Sequence, residues 1–240
     1  MNLKKSVWHL KPKFKLKQCT FQAQGRILFW LENNSYKIYG NYKAKDKIKK
    51  MNISLADFDL NPEKVSKKTV LSNGQEVLLR PLRSDDASIL GAYFLSLSQE
   101  TRNMFAPHPF DQATAEMLCA QIDSTREMRL LAIIKEGETE RVAAYFITLF
   151  YVYDGDCKRY KEWGIPLDDR TDCQIAPSAA DDYQGTGLGS TMMEFLVDIF
   201  RALGYERMVL LGGVRQHNEQ AIRFYKRFGF RTVAEFTTKA

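Results

Sequence analysis

The sequence predicts a protein of the α+β class, because patterns typical of strands and of helices are mixed along most of the chain. Runs rich in β-branched and aromatic residues, such as Leu130–Ile134 and Val142–Tyr151, predict strands of a sheet. Residues 188–203 instead repeat apolar side chains at the spacing of one helix face. The stretch 185–189 carries a glycine at every second position and predicts a tight turn directly before that helix.

Length and composition are ordinary for a soluble globular protein. The 240 residues predict one or two domains, with 45% hydrophobic and 27% charged residues. No run of about 18 apolar residues occurs, so the sequence predicts no membrane span. The N-terminus has no apolar core followed by a small-residue cleavage site, and we therefore expect a cytoplasmic protein.

The cysteines and histidines predict neither a disulfide framework nor a metal site. Short paired spacings such as CxxC are absent, and the histidines lie far apart in the sequence. We expect free thiols and ordinary imidazoles at Cys19, Cys119, Cys157, Cys173, His9, His108 and His217.

Positive charge is concentrated in the first part of the chain. Residues 1–70 contain 16 Lys and Arg against 5 Asp and Glu, whereas the remainder is net acidic. Such a segment could bind nucleic acid or an acidic surface, but we favour a solvated β-hairpin that turns at Asn33-Asn34. Residues 61–75 are polar and predict a linker and a turn. We therefore divide the chain into a basic N-terminal extension, 1–69, and a main domain, 70–240.

The main domain is expected to begin with a strand at Val77–Leu82 and a helix that Ser84 caps. A second helix is expected around residues 113–122, and a hairpin is expected to turn at 136–138. Residues 154–170 predict a long polar connection. The next strand, Cys173–Ala179, contains Pro177, which indicates a bulge or a splayed strand.

The C-terminal part predicts alternating helices and strands. Gly204 is placed to end the helix over residues 188–203, and Arg207–Leu211 predicts the following strand. Asn218 is placed to cap the last helix, which Gly229 closes. A final strand is expected at Thr232–Phe236.

The glycine-rich turn suggests a phosphate site, because backbone amides at a helix N-terminus attract anions. A nucleotide P-loop is excluded, since no lysine occupies the required position. A dinucleotide fingerprint matches loosely, with Ser190 where the third glycine belongs. A turn without any ligand would need one glycine rather than three.

A fourth interpretation rests on two motifs together. The pattern Gln184-x-x-Gly187-x-Gly189 resembles the (Gln/Arg)-x-x-Gly-x-(Gly/Ala) motif of the GCN5-related N-acetyltransferases. The stretch NEQAIRFYKRFGF, residues 218–230, is similar to a second signature of that family. The resemblance covers residues 70–240 and is nearest to bacterial protein-lysine acetyltransferase modules and their stand-alone relatives.

The resemblance implies a fold and a set of binding residues. The fold is a mixed, mostly antiparallel sheet that is splayed between its fourth and fifth strands and carries helices on both faces. The splay would admit the acyl-pantetheine arm of acetyl-CoA, and no metal is expected. The residues implied to bind acetyl-CoA are Ala179, Gln184, Gly185, Thr186, Gly187, Leu188, Gly189, Ser190 and Asn218. Arg223 and Arg227 could reach the 3′-phosphate of the coenzyme, or form a solvated helix face.

The resemblance also implies catalytic roles. Tyr225 would protonate the departing thiolate, although it shares the apolar helix face and could equally be a core aromatic. The family's general-base glutamate falls on Gln174, which cannot accept a proton. Asp172 would share its strand face and is our substitute. Glu162, Asp168 and Asp169 are further candidates.

Two functions remain open on the sequence. The first is transfer of an acetyl group from acetyl-CoA to a primary amine of a small molecule or a protein. The second is a non-catalytic acyl-CoA-binding sensor, whose segment 1–69 docks a partner or nucleic acid. Acids in the expected acceptor loops, 97–112 and 154–170, would favour a cationic amine. The oligomeric state is open, with a dimer among the alternatives.

Overall fold

In the computed structural model, which describes residues 24–32, 51–105 and 107–238, nine strands form one sheet. In chain order, the strands are β1 (Gln24–Glu32), β2 (Lys67–Val70), β3 (Glu76–Pro81), β4 (Glu127–Glu136), β5 (Thr139–Leu149), β6 (Asp172–Ala179), β7 (Arg207–Leu210), β8 (Val214–Arg215) and β9 (Arg231–Thr238). The α-helices in this part of the chain are α1 (Asp57–Leu60), α2 (Ala87–Ser96), α3 (Gln99–Met104), α4 (Gln112–Ala120), α5 (Asp154–Glu162), α6 (Leu188–Leu203) and α7 (Glu219–Arg227).

The sheet is mixed and mostly antiparallel, as expected. Its order is β2-β3-β4-β5-β6-β7-β1, and every pair of neighbours is antiparallel except β6 and β7, which are parallel. The hairpin between β4 and β5 is confirmed, and it turns at Gly137 with a positive φ of 64°. The pairing of neighbouring strands therefore changes from antiparallel to parallel between β6 and β7.

The strand β1 lies between elements from the C-terminal part of the chain. One edge of β1 pairs with β7 and β8, and its other edge pairs with β9. A segment before residue 70 therefore contributes an inner strand of the sheet. The turn of the predicted N-terminal hairpin, Asn33-Asn34, lies outside the described residues, and the division at residue 70 stays a prediction.

Helices cover both faces of the sheet, as expected. On one face, α6 and α7 bury Leu196 and Tyr225 in a core shared with Phe146 and Ile175. On the other face, α2 and α4 pack against a core that includes Tyr145. The helix α5 covers that second face further along, since its buried Tyr160 packs with Val209 of β7. Burial of these apolar side chains supplies most of the free energy that favours folding.

The pairing of β6 divides the strand into two halves. In the paired half, Asp172–Ile175, every residue pairs with β7, and Gln174 and Ile175 pair with β5 as well. Residues 176–179, the open half, keep their pairing with β5 but have no strand partner on the side of β7. The splay predicted between these strands is present and begins after Ile175. Pro177 lies in the open half, where a missing N–H breaks no ladder bond with β7.

Several local predictions are confirmed at helix ends. The Asn218 side chain accepts a hydrogen bond from the Ala221 amide at 3.0 Å and so caps α7. Gly204 ends α6 with a φ of 86°, a left-handed value that favours glycine. The helix expected around 113–122 is α4, and Asp111 caps it by accepting from the Thr114 amide.

Three local predictions are wrong. Ser84 does not cap α2, whose N-cap is Asp86. The Asp86 carboxylate accepts from the Arg83 amide and from the buried Arg80 guanidinium. The expected linker 61–75 contains the strand β2, although its predicted turn at Asn73-Gly74 is present. The polar connection 154–170 contains the helix α5. This helix is stabilised because its buried Tyr160 side chain packs against the sheet.

Candidate active site

The glycine turn lies at the end of the open half of β6 and leads into α6. Gly185 and Gly187 have φ values of 77° and 93°, which L-residues with a side chain rarely adopt. A Cβ atom added at either glycine would have no heavy atom within 4 Å, so open space lies in front of both. Gly189 has an ordinary backbone, and its added Cβ would stand 3.5 Å from the Phe224 ring.

Backbone amides at the start of α6 are available to a ligand. Gly187 is the N-cap, and Thr191 is the first residue whose amide bonds back to the Gly187 carbonyl, at 3.0 Å. Within the described part of the chain, the amides of Gly189 and Ser190 have no acceptor, as is usual in a first helical turn. With the positive end of the helix dipole behind them, these amides have the orientation that anion binding at a helix N-terminus requires.

A hydrogen-bond network fixes this turn to the loop between α2 and α3. The Asp181 carboxylate accepts from the Ser98 amide at 2.8 Å and from the Thr101 hydroxyl at 2.5 Å. Burial alone would raise the pKa of Asp181, but the hydrogen bonds from Thr101 and Ser98 outweigh it and lower that pKa. The Gln184 amide donates to Thr101 Oγ1 at 3.1 Å and to the Ala179 carbonyl at 3.4 Å. Gln184 therefore supports the turn from within the protein.

The open half of β6 presents backbone groups to the splay. The Leu211 amide donates to the Ile175 carbonyl, so odd-numbered residues of β6 point their backbone groups toward β7. By the alternation of a strand, the polar backbone groups of Pro177 and Ala179 then point into the gap. An extended ligand arm could pair with this edge as an added strand would.

The second signature lies beside the turn. Tyr225 is buried among the rings of Phe29, Phe224 and Phe230. Phe224 in turn faces Gly189, so α7 packs next to the start of α6. Burial raises the pKa of Tyr225 above its usual value, which keeps the phenol protonated. Its hydroxyl has no hydrogen-bond partner in the described part of the chain. Tyr225 is thus both a core aromatic and a protonated acid.

Asp172, our substitute base, lies in the paired half of β6 and is fully buried. Its carboxylate oxygens accept from the Arg207 guanidinium at 2.7 and 2.6 Å and from the Asp168 amide at 2.6 Å. Both oxygens are thereby occupied at the end of β6 that is remote from the glycine turn. This geometry is that of a structural ion pair and does not support a catalytic role.

The other acids proposed from the sequence fare similarly. The Arg170 guanidinium and the Arg170 backbone amide both donate hydrogen bonds to the Asp168 carboxylate. These bonds lower the pKa of Asp168. Asp169 accepts a hydrogen bond from the Val152 amide at 2.9 Å. Glu162 is exposed at the end of α5. In the described part of the chain, no contact places any of these three acids at the splay.

Sequence reasoning missed Asp156, which lies where β6 and β7 part. Its Oδ2 atom accepts from Gln174 Nε2 at 2.6 Å and from the Gly212 amide at 2.9 Å. Its Oδ1 atom accepts from Arg159 at 2.6 Å. Gln174 also accepts from the Tyr153 amide at 2.8 Å, so its side chain is held on both sides. In the sequence Asp156 is one acid among several in a polar stretch, and no local signal marks it as buried.

An aromatic cluster flanks the open half on the α2 side and involves the expected acceptor loop. The His108 ring contacts Phe94, Phe110 and Tyr145, and its Nε2 atom lies 3.1 Å from the Tyr145 hydroxyl. Burial lowers the pKa of His108 to about 4, so the imidazole is neutral at pH 7. Tyr145 pairs with Ser178 in the sheet register, which places this cluster beside the splay. His108 therefore packs among core aromatic rings, which is one of the ordinary environments that we expected for the histidines.

The splayed sheet and the glycine turn are those expected of a GCN5-related N-acetyltransferase, and sequence comparison agrees. Residues 99–230 match the sequence model of the acetyltransferase (GNAT) family, and the chain belongs to this family. It is 29% identical to acetyltransferase PA5475 of Pseudomonas aeruginosa over 141 residues, which are 58% of this chain and 67% of that protein.

Solved structures share the fold at lower identity. The GNAT domain of S. lividans PAT matches with a TM-score of 0.57 and 19% identity, over 74% of this chain and 99% of that chain. A ribosomal-protein-S5-alanine acetyltransferase from Vibrio fischeri matches with a TM-score of 0.52 and 12% identity, over 68% and 82%. The predicted splayed sheet with helices on both faces is therefore confirmed.

Among the described residues, no group of three or more His, Cys, Asp or Glu side chains is arranged to hold a metal ion. No helix in that part of the chain is both long and apolar enough to cross a membrane.

Proposed function

We propose that this protein is an N-acetyltransferase that transfers an acetyl group from acetyl-CoA directly to a primary amine. The observation that supports the proposal is the pair of unbonded amides, of Gly189 and Ser190, at the start of α6 and at the wide end of the splay between β6 and β7. Gly185, Gly187, Gly189 and Ser190 would surround the pyrophosphate, together with Thr186 and Leu188. Ala179 and Asn218 would contact the pantetheine arm.

The proposed chemistry needs one acid and one proton acceptor. The lone pair of a neutral amine attacks the thioester carbonyl carbon, and a backbone N–H at the splay stabilises the oxyanion. The C–S bond then breaks, and Tyr225 donates its proton to the leaving sulfur. Water accepts the proton that the amine loses, because Gln174 has no basic atom. This route needs no carboxylate base.

A second candidate function is an acyl-CoA sensor without catalysis. The observation that favours it is Gln174, whose amide is fixed between Asp156 and the Tyr153 backbone where the family carries a base. In that case residues 1–69 would dock a partner or nucleic acid, with affinity for the latter falling steeply with salt. The cytoplasmic location remains a prediction under either function.

The first experiment compares thermal unfolding with acetyl-CoA, CoA, NAD and ATP. At a hundredfold excess over the dissociation constant, a ligand stabilises by about 2.7 kcal/mol. For a chain of this size, that corresponds to a rise in Tm of about 5–10 °C. A rise with the CoA species alone supports the site, and release of CoA thiol with an amine separates the enzyme from the sensor. A rise with NAD or ATP alone contradicts both functions.

A matched pair of variants tests the turn itself. Gly187→Ala and Gly204→Ala place a Cβ atom on backbones with φ of 93° and 86°, at the two ends of α6. Each should lose about 1–2 kcal/mol of stability through the same backbone strain. Only Gly187→Ala should also weaken the stabilisation by acetyl-CoA. Equal ligand responses in the two variants would contradict binding at the turn.

A further inference from the structure

Asp156 joins three elements at the vertex of the splay. Its carboxylate bonds Gln174 of β6, the Gly212 amide just beyond β7, and Arg159 of its own helix. The register places Gln174 and Val209 on the sheet face that α5 covers. The vertex is therefore lined, on this face, by side chains from the connection 154–170.

A second arginine reaches the same place from β1. Arg26 donates from Nη1 to the Gly212 carbonyl at 2.9 Å, while Asp156 accepts from the amide of the same residue. In the sheet register, Arg26 stands between Arg215 of β8 and Phe236 of β9. The Arg159 guanidinium lies over the Phe236 ring at 4.8 Å from its centroid. Arg26 and Arg159 thus share one face and one neighbourhood.

The guanidinium groups of Arg26 and Arg159 act on each other in this neighbourhood. Arg159 is hydrogen-bonded to the carboxylate of Asp156, and the Nε atom of Arg26 is buried without a hydrogen-bond partner in the described part of the chain. Burial, and next the charge of Arg159, lower the pKa of Arg26, whereas Asp156 raises it. Burial and the charge of Arg26 likewise lower the pKa of Arg215. An added anion would relieve this repulsion.

The position of this cluster separates it from the phosphates of acetyl-CoA. Gln174 precedes Ala179 by five positions, so the vertex and the glycine turn are roughly 16 Å apart along the strand. In the proposed function, the phosphates bind at the glycine turn and the acyl group points toward the vertex. An anion at the vertex therefore belongs to the acceptor.

Three acids of the connection are already hydrogen-bonded within the protein. Asp156, Asp168 and Asp169 each accept hydrogen bonds from the protein itself. Our expectation that these acids attract a cationic amine therefore lacks support among the contacts. The Arg26 guanidinium, in contrast, retains a donor at Nε that no described residue accepts.

We propose that the acceptor carries an anionic group, a carboxylate or a phosphate, which Arg26 and Arg159 bind while its amine faces the vertex. The planar guanidinium fork suits such oxyanions, because it offers parallel N–H donors. The inference rests on the proposed function and specifies its acceptor. Arg26 is supplied by β1 and Arg159 by α5, so a segment outside the family match completes this binding site.

The test is acetyl transfer to three matched series of amines, followed by release of CoA thiol. The series are the common amino acids, the same amino acids as C-terminal amides, and O-phosphoethanolamine against ethanolamine. We expect the anionic member to exceed its neutral counterpart in kcat/KM by about tenfold or more. The carboxylate and phosphate arms identify which anion the site takes.

Variants of the two arginines assign the effect. Arg26→Gln and Arg159→Gln should each reduce the anionic-to-neutral ratio of kcat/KM by about tenfold, mainly through KM. Arg159→Lys should restore part of it, since the charge is kept. Arg170→Gln is the matched control, an arginine of the same connection whose side chain is 87% exposed. The ratio is measured within one preparation, so a partly unfolded variant remains informative.

Each outcome decides something different. Equal or better turnover of the neutral amines overturns the inference, as does an unchanged ratio in both glutamine variants. Binding of acetyl-CoA with no turnover of any series also overturns it, while the acyl-CoA site stands. Failure to bind acetyl-CoA removes the proposed function itself.

Discussion

The two halves of β6 differ in what their polar groups do. In the paired half, Asp172 and Gln174 are fully buried, and hydrogen bonds from other parts of the chain engage their side chains. In the turn behind the open half, the amides of Gly189 and Ser190 have no acceptor among the described residues. Buried polar groups must be satisfied for the fold to be stable, whereas unsatisfied groups at a surface can bind a ligand. The comparison teaches that buried, bonded polar groups stabilise the paired half, whereas the turn behind the open half leaves backbone amides available to a ligand.

The largest effect is expected from Tyr225→Phe, in the helix α7 that packs next to the glycine turn. Loss of the proton donor should lower kcat by about 10²–10⁴-fold. The free energy of unfolding should change little, because the Tyr225 hydroxyl has no hydrogen-bond partner among the described residues. Steady-state kinetics and urea unfolding would measure the two quantities.

Tyr160→Phe is the control for that variant, because Tyr160 is equally buried but donates to the Phe29 carbonyl at 2.5 Å. It should lose about 1 kcal/mol of stability and keep its kcat. If Tyr225→Phe retained wild-type kcat, Tyr225 would be a core aromatic alone.

The next effect is expected in the paired half, from Asp172→Ala. Removing this buried carboxylate breaks its ion pair with Arg207 and should destabilise the protein by about 3–5 kcal/mol. Asp168→Ala, which removes an acid paired with the largely exposed Arg170, should change stability little. Chemical unfolding monitors both. A loss of activity greater than the unfolded fraction in Asp172→Ala would restore this residue as a candidate base.

A smaller effect concerns the aromatic cluster beside the open half. Burial lowers the folded-state pKa of His108 to about 4, below the unfolded value of 6.5. The unfolded chain therefore binds the proton more readily, so stability falls as pH decreases from about 6.5 to 4, by on the order of 2–3 kcal/mol. His108→Gln should remove this component from the pH dependence of unfolding. An unaltered pH profile would mean that the ring is exposed in solution.

The smallest effect is expected from Asp181→Asn at the support of the glycine turn. The pKa of Asp181 is lowered in the folded protein, so its contribution is full above the unfolded pKa and disappears as pH falls through the folded pKa. Because the residue is exposed, we expect a loss of under about 1 kcal/mol at pH 7. Binding of acetyl-CoA should weaken by a few-fold as the turn loosens. Full affinity in this variant would show that the turn is rigid without Asp181.

Local patterns in the sequence predicted much of the fold. The hairpin of β4 and β5, the amphipathic face of α6 and the ends at Gly204 and Asn218 follow from short-range rules. The glycine turn was readable for the same reason, since its backbone conformation depends on glycine itself. Short-range rules failed at Ser84, where the buried Arg80 draws Asp86 into an ion pair and moves the helix start.

Long-range contacts could not be read in this way. The strand β1 pairs with segments some two hundred residues away, and no local pattern specifies those partners. Asp172 and Asp156 look alike in the sequence as acids near one strand. Their surroundings differ only because Arg207 is adjacent to one, and Gln174 and Gly212 are adjacent to the other.

The sequence by itself thus determined the α+β class, the splayed sheet through its family resemblance, and the turn that offers amides to a phosphate. These properties depend on the periodicity of side chains and on the freedom of glycine, which are local. Only the tertiary structure decided that the carboxylate of Asp156 lies at the vertex and that the Tyr225 side chain is buried. It also decided that Arg26 of β1 lies near Arg159 of α5. Burial and charge pairing are properties of neighbours in space, and the chain brings those neighbours together only when it folds.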